Sequence, residues 1–335
     1  MSRRPIAIVT GGAGFIGSHM VDLLLERGFV VRVIDDFSGG REANLRQHAS
    51  DPDLGVETRD IRRLEPGDSL FSDAAHVFHF AGIGDIVPSI ERPTEYMSVN
   101  VQGTVHVLEC ARHAGVRKFL YAASSSCYGL AGVPTAEDHP IAPQYPYALS
   151  KFQGEQAALH WRRVYKLPVN SLRIFNVYGP RVRTTGAYGA VFGVFFRQKL
   201  AGAPFTVVGD GSQRRDFLYV TDAATAFLLA AEIRRTGEVY NLGAGNPQPV
   251  NRLVELLGGK RVAIPKRPGE PDCTWADITK IKADLGWKPT VSFEDGVARM
   301  IERIEDWQDA PLWDPESIAQ ATKTWFKTLS RQETP

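Results

Sequence analysis

The chain opens with a short apolar run, Ile6 to Val9, that breaks into Gly11-Gly12-Ala13-Gly14-Phe15-Ile16-Gly17 and continues as an amphipathic stretch from Ser18 to Arg27. A buried strand that turns through glycines into a helix leaves few folds open. Gly11 lets the chain turn sharply, Gly14 lets backbone approach a pyrophosphate, and Gly17 lets the helix pack on the strand. A phosphate would then meet the helix N-terminus, with Phe15 and Ile16 at its edge. The plainer alternative is a glycine-rich turn with no ligand. Asp35 ends the next strand, where an acid can bind the adenosine ribose hydroxyls. A carboxylate there repels the extra phosphate of NADP and favours NAD. Asp35 and its neighbour Asp36 can also be read as turn residues.

Apolar runs bounded by turns recur at Val30 to Ile34, His76 to Phe80, Phe119 to Ala122 and Val169 to Phe175. Helical stretches lie between them, one from about Pro93 to Ala114, which is the alternation of parallel βαβ units. The prediction is an α/β fold, a Rossmann-like doubly wound parallel sheet. After Gly179 glycine, proline and aromatic residues become dense, while Arg215 to Val220 and Val239 to Leu242 again read as strands. An NAD-binding domain over residues 1–178 and a smaller substrate-binding region over 179–335, with segments returning to the sheet, suit a chain of 335 residues at roughly 150 per domain.

A formal net charge of +1 supplies no broad field for nucleic acid or an anionic membrane. Cys110, Cys127 and Cys273 are scattered and odd in number, so neither a disulfide framework nor a metal site is expected. No apolar stretch approaches the ~18 residues of a membrane span. The expectation is a soluble, cytoplasmic protein.

Tyr147 and Lys151 stand four apart in Tyr-Ala-Leu-Ser-Lys. On a helix both side chains share one face, so the ammonium can stabilise the phenolate and lower the tyrosine's pKa. Such a tyrosine can take a proton from a sugar hydroxyl while a hydride leaves the same carbon. The spacing alone also arises on solvated helix faces.

With these residues in place, the chain resembles the extended short-chain dehydrogenase/reductase family, specifically its nucleotide-sugar epimerases and dehydratases. Asp60-Ile61 matches the adenine-contacting pair, Phe80-Ala81-Gly82 the strand end beside the cofactor, and Asn100-Val101-Gln102-Gly103-Thr104 the Asn-x-x-Gly-Thr helix. Ser124-Ser125-Ser126-Cys127-Tyr128-Gly129 matches the active-site turn, and Arg173 to Arg181 is a strong signature. The resemblance implies bound NAD, catalytic Ser124, Tyr147 and Lys151, and a nucleotide-sugar substrate, with a UDP-sugar favoured. Arg215 and Arg267 fall in motifs whose arginines meet the substrate diphosphate, joined by the Asn176 amide; surface ion-pair arginines are the bland alternative. Val87, Ser125 and Ser126 are expected to line the sugar pocket. Ala190, Val191, Phe205, Thr206 and Val207 are expected beside the base and ribose. Pairing of the helices near Pro93 and Tyr147 in a homodimer is a family expectation.

Resembling dehydratases carry Asp-Glu where this chain has Ser125-Ser126, and decarboxylases often keep a glutamate at the second position. A hydroxyl cannot readily replace either acid in elimination. The resemblance therefore favours 4-epimerisation through a transient 4-keto sugar, with dehydration or decarboxylation as the alternative and a non-catalytic NAD-binding protein as the rival class. Epimerases that reject N-acetyl groups place tyrosine where Thr274 stands. Threonine leaves room for an N-acetylhexosamine, or is simply a strand residue. His76 and His79 read as packing groups and Cys127 as a small buried hydrophobe. Asp314 and Pro315 suit the start of a terminal helix, whose apolar face packs on the body or on a second subunit.

Overall fold

A computed structural model describes residues 4–184 and 191–330. Seven strands form one parallel sheet: β1 (Ile6–Thr10), β2 (Val30–Asp35), β3 (Leu54–Thr58), β4 (Ala74–His79), β5 (Lys118–Ser124), β6 (Val169–Ile174) and a late strand, Val239–Leu242. Their order across the sheet is β3, β2, β1, β4, β5, β6 and the late strand. Thr10 pairs with Ile34 on one side and His79 on the other, so the strand order reverses beside β1. A ligand crevice opens at the carboxyl ends of strands at such a point.

Successive residues of each strand face opposite layers. Val9, Val33, Phe78 and Leu120 join one core with α1 (Phe15–Glu26), while Ile8, Ile34, Val77 and Phe119 join another. Both faces are apolar because helices cover both. A small crossover contains α2 (Ile86–Glu91) and α3 (Pro93–Met97), the latter continuing through a π-helical turn, Ser98–Gly103, into α4 (Thr104–His113). The single helix expected over this stretch is thus widened around Asn100. α5 (Pro146–Tyr165) packs beside α4.

Beyond β6, β7 (Asn176–Tyr178) leaves the large sheet, followed by α6 (Val191–Leu200), β8 (Phe205–Val208), β9 (Arg214–Arg215) and β10 (Phe217–Tyr219). The strand expected from Arg215 to Val220 is split at Asp216, and Val220 already starts a helix. Asp216 is fully buried and accepts hydrogen bonds from the backbone N–H groups of Ala244, Gly245 and Ala276, which ties three segments together. α7 (Val220–Glu232) packs against α1 and delivers β11 (Val239–Leu242) to the edge of the large sheet, so the two regions interleave. β12 (Gln248–Pro249), α8 (Val250–Leu257), β13 (Arg261–Ile264), α9 (Thr279–Leu285) and α10 (Phe293–Ile301) complete this half. Its core is aromatic: Tyr178 stacks on Phe192 at 4.7 Å and Phe217 on Phe293 at 5.1 Å. α11 (Pro315–Leu329) begins with Asp314 as cap and Pro315 in its first turn. No described helix is long and apolar enough to cross a membrane.

Candidate active site

The glycine turn sits at the sheet's switch point, with no room for side chains. A Cβ on Gly17 would lie 2.1 Å from the Gly11 carbonyl oxygen, and one on Gly11 would lie 2.6 Å from the Ala81 nitrogen. Gly11 also has φ +69°, a region that favours glycine. Gly14 caps α1 without a side-chain hydrogen bond, and no acid occupies the helix's first turn. The free N–H groups around Phe15 and Ile16 therefore suit an anion. Asp35 accepts hydrogen bonds from the Ala13 and Phe37 N–H groups, both at 2.9 Å, which fixes its carboxylate against the turn. Burial raises its pKa.

Asp60 lies beyond β3 and pairs with Arg62, which holds its carboxyl below the ordinary range. Asp36, whose charge reaches Arg62, turns on itself to accept from Ser38. Ile61 is buried against Gly103, where a Cβ would lie 2.6 Å from its side chain. Phe80 packs on Phe227, and Gly82 brings its backbone against Asn100 and Lys151. Asn100 is buried and clamps both the N–H and the carbonyl of Ile83, while also donating to Ser150. With these bonds the Asn100 amide fixes the chain just after Gly82. A cradle that only glycine fits, an uncapped helix end and an acid beside it fit NAD.

Tyr147 lies in the first turn of α5, where the positive helix end favours a phenolate. Burial pushes its pKa up, and the Ser124 hydroxyl, hydrogen-bonded to it, pulls the other way. Lys151 lies one turn further along the same helix, on the same face. Its ammonium stands 4.6 Å from the centre of the Tyr121 ring, and burial lowers its own pKa to about 8. Glu155, one turn further along α5, counters that shift and forms a buried pair with Arg173 at 2.7 Å. Arg173 also donates to Tyr128, so the signature arginine braces the active-site turn. Around the phenol, Tyr145 stacks parallel at 6.3 Å between ring centres and hydrogen-bonds Ser126. A Cβ on Gly84 would lie 4.0 Å from the Tyr147 hydroxyl oxygen.

Ser125 and Thr274 line one small pocket. The Thr274 hydroxyl donates to Asn176 Oδ1 at 2.7 Å, which leaves the Asn176 N–H donors to face a ligand. Arg215 donates to Glu270 at 2.8 Å, and Arg267 stands 2.8 Å from the same carboxylate, so Glu270 bridges the two arginines. Glu270 was not among the expected site residues, although it is the carboxylate within Arg267-Pro268-Gly269-Glu270. Tyr145, Glu155 and Trp325 were also missed; Glu155 and Trp325 meet partners distant in the chain, Arg173 and Pro268.

Several residues expected beside the substrate have side chains engaged within the fold. Phe205, Thr206 and Val207 are at most 4% exposed. Phe205 packs on Phe195 at 5.1 Å and Thr206 exchanges hydrogen bonds with Gln198, because β8 lies against α6 and fills the aromatic core. Val87 is covered by Trp325 and Leu329 of α11. Val191 is half-buried at the start of α6. Ala190 lies outside the described residues.

Residues 7–243 match the model of the NAD dependent epimerase/dehydratase family. The chain belongs to that family. As a member it is an NAD-dependent enzyme. A putative UDP-glucose 4-epimerase of Methanocaldococcus jannaschii is 35% identical over 308 residues, spanning 89% of this chain and 98% of its own. Among solved structures, a UDP-N-acetylglucosamine 4-epimerase from Methanobrevibacter ruminantium M1, in complex with UDP-N-acetylmuramic acid, superposes with a TM-score of 0.83 at 30% identity and covers 90% of this chain with 100% of its own. The UDP-glucuronic acid 4-epimerase of Bacillus cereus, bound to UDP-glucuronic acid and NAD, has a TM-score of 0.83 at 31% identity, with coverages of 90% and 99%.

Proposed function

We propose that the chain is a UDP-sugar 4-epimerase that works through a 4-keto sugar. The observation that carries this reading is the Tyr147–Ser124 hydroxyl pair, flanked by Ser125 and Ser126 rather than by acids. Asp85, whose charge reaches Tyr147, is ion-paired with Arg183. Elimination needs a second acid or base, whereas inversion through a ketone needs one group that works in both directions. Tyr147 takes the 4'-hydroxyl proton as phenolate and later returns it, while Ser124 holds the same oxygen. Lys151 orients the cofactor ribose. Bound NAD would supply the hydride acceptor for C4' and the donor for its return to the other face. Arg215, Arg267 and Asn176 anchor the diphosphate while the sugar turns over. Asp35 excludes a 2'-phosphate.

Thr274 in place of tyrosine supports acceptance of an N-acetylhexosamine. Arg183 beside Asp85 favours a second reading, a UDP-hexuronate whose carboxylate takes over that guanidinium. The family includes UDP-glucuronic acid decarboxylases, so loss of carbon dioxide is a further outcome to check. Leu149, Val164 and Tyr165 on α5 leave apolar surface exposed, which suits a homodimer in the cytoplasm. The test is NMR of products from UDP-glucose, UDP-N-acetylglucosamine and UDP-glucuronate. Inversion at C4' with sugar and nucleotide otherwise intact is expected. A 4-keto-6-deoxy sugar or a pentose would overturn the reading.

A further inference from the structure

The terminal helix α11 reaches into the substrate cleft's wall. Trp325 is 5% exposed, and its indole N–H donates to the Pro268 carbonyl at 2.7 Å. The Arg267 guanidinium lies over the same ring, 5.2 Å from its centre. On the other side, Trp325 and Leu329 pack on Val87, and Thr324 donates to Glu91 at 2.9 Å, so α11 joins the arginine loop to α2. Tyr145, which stacks on Tyr147, packs against the same cluster.

Arg267 needs such support. Its side chain borders a cavity of about 240 Å³ between α11 and the end of β13, which leaves one side of it without packing. Glu270 alone would draw the guanidinium into a closed ion pair with Arg215, away from an incoming anion. An aromatic face attracts the cation without neutralising it and holds its plane while the edge N–H groups stay directed at a ligand. The N–H bond to Pro268 fixes the ring to the backbone that carries Arg267.

Resting on the reading that Arg267 binds the substrate diphosphate, we propose that Trp325 is a positioning residue for nucleotide-sugar binding, acting through Arg267. The test uses the full chain with NAD bound and measures UDP binding by calorimetry together with steady-state turnover. Trp325→Gln keeps an N–H donor for Pro268 but lacks the aromatic face, and Trp325→Phe keeps a face but lacks the donor. UDP affinity should fall about tenfold in Trp325→Gln and less than about threefold in Trp325→Phe, the span expected for a partly desolvated cation over a ring. KM for the nucleotide sugar should rise in parallel, with kcat and NAD retention little changed. In an Arg267→Ala background, Trp325→Gln should cause no further loss. The reverse order of the two variants, an undiminished loss without Arg267, or a fall in kcat alone would overturn the inference. Should Arg267→Ala itself leave UDP affinity intact, the assignment of Arg267 to the diphosphate fails; a loss there without one in Trp325→Gln sinks only the inference.

Discussion

The two ends of the cleft are built from different materials. At the cofactor end the contact surface is backbone: glycines too crowded for a Cβ, an uncapped helix and a carboxylate locked by two N–H groups. At the substrate end it is side chains that hold one another, with Arg215, Glu270, Arg267 and Trp325 forming one linked group. A backbone site is preorganised and suits a cofactor retained through every turnover. Side chains that can exchange partners suit a ligand that must enter, let its sugar turn over and leave. Tyr147 stands between the two and should belong to neither in its effect on binding.

That separation is most strongly tested by Tyr147→Phe. Removal of the acid/base hydroxyl should lower kcat by about 10²–10⁴-fold, while NAD retention and UDP affinity stay near wild type. A loss of either binding would show that the phenol is part of a binding end. Arg215→Ala tests the substrate end alone. Losing charged hydrogen bonds worth about 1.5–3 kcal/mol should raise KM about 10–100-fold with NAD still bound. If NAD is lost as well, the ends are coupled through the protein and the contrast fails.

Acid should distinguish the ends in another way. All eight histidines precede residue 179. Burial lowers the pKa of His79 to about 3 and those of His19 and His76 to about 4. These groups stay neutral in the fold but take up protons near pH 6.5 when unfolded. Their stabilisation is complete above that pH and is lost as pH falls toward the folded values, at up to about 1.4 kcal/mol per pH unit for each. His79 bridges Thr10 and Thr104 beneath the glycine turn, so acid acts on the cofactor end. Between pH 7 and 5.5 the Tm and NAD retention should fall together. A flat Tm over that range would mean that these rings charge without cost inside the fold.

The same contrast decided what the sequence could disclose. The cofactor end was legible because its contacts are local: Gly11, Gly14 and Gly17 lie within one turn. The Tyr147 and Lys151 pair was legible for the same reason, because both lie on one helix face. The sheet was legible because alternating burial leaves continuous apolar runs, although β3, with half-buried and exposed side chains, left no such signal. The substrate end depends on partners far apart in the chain, such as Arg215 with Glu270 and Arg267 with Trp325, and no spacing reveals them. Phe205 to Val207 were assigned to the nucleotide by position in a motif; their side chains go to the aromatic core, which leaves their backbone for that role. Ser124 reaches the Tyr147 hydroxyl from the end of β5, a meeting that the chain's spacing alone does not reveal.

The smallest effect should come from Thr274→Val, which keeps the side chain's shape and removes one hydroxyl. That hydroxyl donates to Asn176 Oδ1 and accepts from the Asp216 N–H at 3.2 Å, so it links the buried Asp216 hub to the amide proposed to meet the diphosphate. Without it the Asn176 amide is free to turn its oxygen toward an anion, which is the wrong end. A neutral hydrogen bond contributes about 0.5–1.5 kcal/mol, so KM should rise about two- to tenfold with kcat nearly unchanged. The loss should be equal for UDP-glucose and UDP-N-acetylglucosamine, because the amide addresses the part they share. Thr274→Tyr should instead penalise the N-acetylated sugar more, because it fills space beside the ring. A selective loss in Thr274→Val would place the hydroxyl at the sugar rather than behind Asn176.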